Sequence, residues 1–172
     1  MSAAHLRDLF EQKRIALRRH PSLARSTAHA GVRLTGGLRC EVRHGERVTV
    51  VDLPLGEGGG ASAPGPGDLM RASLGACLAM SYRAWAARFG FEVSAVDVDV
   101  TVEYDARGQL GLADDVPIGW QRLLFDVRIE SDAPAAELRR AVEHADRLSP
   151  MLANLSPAIE RVHTLSIQRP HS

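Results

Sequence analysis

The sequence predicts an α+β fold. Three observations carry that prediction. Segments that alternate apolar and polar residues fall into two blocks, one before residue 54 and one after residue 94. Two long runs with helical periodicity occupy residues 67–89 and the stretch after Ser131. The Gly- and Pro-bearing stretches 54–67 and 105–118 separate these blocks.

In order along the chain, residues 3–19 read as an amphipathic helix. Leu6, Leu9, Phe10 and Leu17 share one stripe, and Pro21 ends it. In residues 26–53, Ala28, Ala30, Val32 and Leu34 alternate with Thr27, His29, Gly31 and Arg33. Thr35-Gly36-Gly37 turns, and Leu38, Cys40 and Val42 resume the alternation. His44-Gly45 turns again before a strand from Val48 to Leu53. The pattern is a small antiparallel meander. Residues 54–67, with Gly58-Gly59-Gly60, read as a flexible surface loop. The glycine run lacks the Lys-Ser/Thr pair of a phosphate loop.

Residues 67–89 form the central helix, with apolar and small residues almost all round: Leu69, Met70, Ala72, Leu74, Ala76, Cys77, Leu78, Ala79, Met80 and Trp85. A helix of this kind is buried on all sides. In a domain of this size a partner subunit accomplishes that most easily. Val96, Val98, Val100, Val102 and Tyr104 alternate with Asp97, Asp99, Thr101 and Glu103, a strand with one wet face. Leu123, Phe125, Val127 and Ile129 make the next strand. Ser131 or Asp132 caps a second long helix with Pro134 in its first turn and a buried stripe of Leu138, Ala141, Val142, Ala145 and Leu148. Residues 159–168 close the fold as a strand. The organisation expected is an N-terminal helical extension, residues 1–25, followed by one domain over residues 26–172.

Bulk properties exclude several functions. Lys plus Arg and Asp plus Glu both number 21 in a chain of 172 residues. Zero net charge and few aromatics argue against nucleic acid and against a polybasic membrane surface. Two cysteines, Cys40 and Cys77, do not make a disulfide scaffold and fit a reducing compartment. The charges of residues 1–20 exclude a signal-peptide core, and those of the central helix exclude a membrane span. A cytoplasmic location is expected. His5, His20, His29, His44, His144, His163 and His171 show no metal-ligand spacing. No metal and no cofactor are expected.

Chemistry centres on Cys77. Two readings of it stand: a small core filler, or a nucleophile needing a nearby cation. Asp68, nine residues earlier, reads as a first-turn acid favoured by the helix dipole. Arg33 lies on the polar face of the first strand with Thr27 and His29 and reads as a solvated strand residue. Cys40 alternates with Leu38 and Val42 and reads as core. Ser149 ends a helix before Pro150 and carries no hydrolase signal.

The run Gly65-Pro66-Gly67-Asp68-Leu69 through Leu74-Gly75-Ala76-Cys77, with Ala145-Asp146-Arg147-Leu148-Ser149-Pro150-Met151 further on, resembles the OsmC/Ohr family of thiol-dependent organic hydroperoxide reductases. The resemblance covers roughly residues 26–169. It implies an OsmC-like fold: a meander and a two-strand segment packed around the long central helix and a second helix, as an intertwined homodimer with its sites at the interface. It implies that Cys77 attacks a peroxide, held as thiolate by an arginine and a carboxylate. Arg33 is the best match for that arginine, and Arg39 is the runner-up. The family's acid position holds Gly67, with Asp68 one residue later. At the second-cysteine position the chain has Ser149, so the resemblance implies a one-cysteine variant that needs an external thiol. Leu74, Leu78, Met80, Met151 and Leu152 would then line an apolar pocket. The alternative function is a non-catalytic stress protein that binds a small apolar ligand at the interface.

Overall fold

The computed structural model describes residues 1–170; His171 lies outside the described residues. The architecture is α+β, with two three-stranded sheets and helices. The chain packs as two compact units. One comprises Ile15–Ala72, and the other combines Met1–Arg14 with the chain from Ser73 onward.

The helix α1 spans Ala3–Arg19, the bounds that its apolar stripe predicts. A single 3-10 turn, Pro21–Ala24, follows. The first unit then holds the meander: β1 (Gly31–Gly36), β2 (Arg39–His44) and β3 (Arg47–Val51), antiparallel in the order β1-β2-β3. Gly37 and Gly45 sit at the two turns with φ of 56° and 61°, a conformation that costs glycine nothing. The alternation that begins at Ala28 does not become strand before Gly31. Gly31 already pairs with Arg43, and the next residue of β2 leads into a turn, so nothing remains for residues 27–30 to pair with.

The long helix α2, Pro66–Arg88, lies within one residue of its predicted span. Its first turns belong to the first unit and the rest to the second. The second unit holds β4 (Ala95–Tyr104), β5 (Trp120–Glu130) and β6 (Glu160–Gln168). β5 lies between an antiparallel β4 and a parallel β6. A short helix, α3 (Ala106–Gln109), interrupts the loop after β4, and α4 (Ala135–Arg147) with α5 (Pro150–Ala153) link β5 to β6. Alternation on β5 buries Leu123, Phe125, Val127 and Ile129 against Leu74, Leu78, Tyr82 and Ala86 of α2 and Leu138, Val142 and Ala145 of α4. The opposite face of this sheet is wet and ionic. There Arg128 pairs with Asp99 at 2.7 Å and Arg122 with Glu103 at 3.3 Å.

Two expectations change here. Neither Ser131 nor Asp132 caps α4: its N-cap is Pro134, and the Ser131 hydroxyl instead donates to the Glu92 carbonyl. Leu148 is exposed because α4 ends at Arg147, before the stripe would recur. Within this chain α2 is buried on one side only. Leu74, Leu78 and Tyr82 are covered, whereas Met70 is 44% and Met80 67% exposed.

Candidate functional site

The segment read as a flexible loop is organised by a buried acid, Asp52, directly after β3. Its carboxylate accepts from the Ser62 hydroxyl at 2.7 Å and from the backbone N–H groups of Leu53, Gly60 and Ser62 at 2.8 to 3.2 Å. Those bonds, led by the Ser62 hydroxyl, lower its pKa to about 2. Gly59 crosses the Leu53 backbone so closely that a Cβ would strike the Leu53 carbonyl. The glycine run therefore allows close backbone approach and supplies one N–H donor, that of Gly60, to the carboxylate.

Asp68 is the third residue of α2. Its Oδ2 accepts from the Gly65 N–H at 2.9 Å, and Gly65 stands at the N-cap with Pro66 as first helical residue. This is the acid half of a capping box. Its other oxygen is taken by the Arg71 guanidinium one turn on. The structure thus joins Asp68 to Arg71 and does not bring it to Arg33. Asp68 and Arg71 have the helical i,i+3 spacing, so the pair was readable in the sequence.

Arg33 lies on β1 opposite Glu41. Within its unit its side chain makes no ion pair or hydrogen bond, and it is exposed. Arg39 is tied into its own hairpin, donating to the Thr35 hydroxyl at 3.0 Å and lying 3.6 Å from Glu41. Cys40 pairs in register with Leu34 and Val51 and is half-buried.

In the second unit, Cys77 is half-buried. Helical geometry puts it in one row with Met70, Ser73 and Met80, the row that the core leaves open. Gly75 faces the other way: a Cβ there would come within 3.2 Å of Val100 Cγ2, so glycine lets α2 lie close on β4. Within this chain Leu74, Leu78 and Leu152 are core, while Met80 is exposed. A cleft of about 560 Å³ lies elsewhere, lined by Arg83, Phe91, Glu92, Ser131 and Asp132 among others.

Ser149 is buried and is the N-cap of α5, its oxygen accepting from the Leu152 N–H at 3.3 Å. One turn earlier, Asp146 binds two groups that sequence reasoning missed. The buried Tyr82 hydroxyl donates to it at 2.7 Å, and His163 Nδ1 lies 3.1 Å away. Burial, then Asp146, drives the Tyr82 phenol far up, so it remains a donor. Among the described residues no helix is long and apolar enough to cross a membrane.

The family model described as OsmC-like protein matches residues 58–162, a span that contains Cys77 and Ser149. The fold is also similar to solved structures. An OsmC-like protein from Mycoplasma pneumoniae aligns with a TM-score of 0.72 at 13% identity, covering 83% of this chain and 98% of that one. The organic hydroperoxide resistance protein OsmC from Legionella pneumophila aligns at 0.60 and 18%, covering 84% and 99%. The organic hydroperoxide resistance protein OhrB of Bacillus subtilis aligns at 0.58 and 16%, covering 82% and 98%. No curated protein matches.

Proposed function

The chain belongs to the family of OsmC-like proteins, and on that premise we propose that it is a thiol-dependent peroxidase that reduces organic hydroperoxides through Cys77. The observation that carries this reading is the position of Cys77, half-buried in the row of α2 that ends in the exposed Met80. A thiol sealed in the core would be inert. The names of the Legionella and Bacillus proteins, both organic hydroperoxide resistance proteins, support the substrate class.

The Cys77 thiolate attacks one oxygen of the O–O bond. That oxygen stays on sulfur as a sulfenic acid, and the other leaves with a proton as the alcohol. A first external thiol then displaces water to form a mixed disulfide. A second releases Cys77 as thiol, so two thiols are oxidised for each peroxide reduced. Ser149 offers no sulfur for an internal disulfide. In this reading Arg33, unpaired within its unit, supplies the cation that favours the thiolate. Asp68 positions the start of α2 through Gly65 and Arg71. The open row on α2 supports a homodimer in which a second copy covers it.

Mass spectrometry after a stoichiometric dose of an organic hydroperoxide tests the proposal. Cys77 should gain one oxygen, with no Cys40–Cys77 disulfide, and added small thiol should restore it. Arg33→Gln should slow that oxidation about tenfold or more, the scale of one charge-assisted contact. The second reading, a non-catalytic stress protein that binds a small apolar ligand, draws on Asp68 and Ser149 both being committed to helix caps. An unmodified Cys77 would select it.

A further inference from the structure

The helix α2 is rich in alanine and carries two serines, Ser73 and Ser81. One stands four residues before its single cysteine, Cys77, and the other four residues after it. Residues four apart on a helix are surface neighbours, with Cβ atoms about 5–6 Å apart. Each Cα–Cβ bond tilts toward the helix N-terminus. The Cys77 sulfur therefore leans over the turn that holds Ser73, and the Ser81 hydroxyl leans over the turn that holds Cys77. All three residues belong to the second unit.

A serine inside a helix is a poorer choice than alanine, because its hydroxyl competes for backbone groups and often bonds the carbonyl one turn back. Neither serine does so here. Among the described residues neither hydroxyl makes any hydrogen bond. Ser73 is exposed, and Ser81 is half-buried like Cys77. No other side chain within four residues of Cys77 on α2 carries a hydroxyl or an N–H group. A neutral thiol accepts hydrogen bonds only weakly. A thiolate carries a full charge, and a hydrogen bond to a charged acceptor is the stronger kind.

We propose that Ser73 and Ser81 donate hydrogen bonds to the Cys77 thiolate, one from the turn before and one from the turn after. Bonds to the ionised form favour it, so more of the sulfur stands ready to attack. The inference rests on the reading of Cys77 as the attacking thiol. It gives that thiolate a source of stabilisation on its own helix, separate from any cation.

Alkylation by iodoacetamide across a range of pH tests it on the full chain, followed on the Cys77 peptide by mass spectrometry. Replacing both serines, Ser73→Ala with Ser81→Ala, should slow alkylation at neutral pH by about three- to tenfold. At the alkaline plateau, where every Cys77 is ionised, the rate should stay equal or rise, because a less stabilised thiolate is the better nucleophile. Ser73→Thr with Ser81→Thr keeps both hydroxyls and should keep the neutral-pH rate. An unchanged profile in the double alanine variant would overturn the proposal. So would a loss of rate at both ends of the range, which marks altered packing or access. A dose of organic hydroperoxide separates this inference from the peroxidase reading. Oxygen uptake by Cys77 with an unmoved alkylation profile overturns the serine contacts alone. A profile that moves as expected, with no oxygen uptake, upholds them and removes the peroxidase.

Discussion

Asp52 is a single side chain with a disproportionate task. It replaces water for a row of backbone N–H groups in a glycine-rich segment that has little else to hold it. Its folded pKa of about 2 lies below that of an unfolded aspartate, about 3.9. The ionised carboxylate therefore stabilises the fold fully above the unfolded value, and that contribution is lost as pH falls through the folded one. Asp52→Asn should lower the melting temperature at neutral pH and flatten the acid limb between about pH 4 and 2; circular dichroism melts across that range decide it. Tyr82 is the comparable residue in the other unit. Tyr82→Phe removes one hydrogen bond to Asp146 while His163 still faces that acid, so urea unfolding should show a loss of about 1–2 kcal/mol. Neither role was legible in the sequence. Asp52 reaches eight to ten residues along a stretch without periodicity, and Tyr82 meets Asp146 across 64 positions. Asp68 was half legible: its place in the first turn was plain, but its partner Arg71 was overlooked in favour of an arginine distant in sequence.

At the scale of elements, local periodicity made α1, α2 and β4 readable to within a residue, because 3.6- and 2-residue repeats are set by the backbone itself. The ends of α4 were harder, since a proline with no side-chain hydrogen bond stands where a serine or aspartate cap was expected. For α2 the sequence shows that nearly every side is apolar, but not which side the chain's own sheet covers. Gly75 marks the covered side. Gly75→Leu should push α2 off β4 and destabilise by about 1–3 kcal/mol, as overpacking does; chemical denaturation measures it. Ser149→Cys makes a contrasting probe in α5. It adds a sulfur but weakens the N-cap, so a loss of about 1 kcal/mol should accompany any gain in disulfide formation.

On the scale of the whole molecule, the open row of α2 and the exposed Val32 and Leu34 on β1 are more apolar surface than a monomer of this size needs to show. Light scattering at micromolar concentration should give a homodimer that buries well over ~2,000 Å², and Met80→Glu should shift it toward monomer. In the sequence this surface was legible only as an excess of apolar helix surface, because a pattern of burial does not name what does the burying.

The sheet around β5 has a consequence for how the chain folds. One edge of β5 pairs with β4 through a hairpin, but the other waits for β6, whose Glu160 lies opposite Arg122 only after α4 and α5 have been made. Closing that long connection costs more entropy than closing the hairpin, so the β4–β5 pair should form first and β6 dock last. During that interval an apolar strand has an unpaired edge, open to a strand from another chain. A conservative truncation on β6, such as Ile167→Val, should accordingly speed unfolding more than it slows folding, and stopped-flow chevrons would show on which limb the change falls.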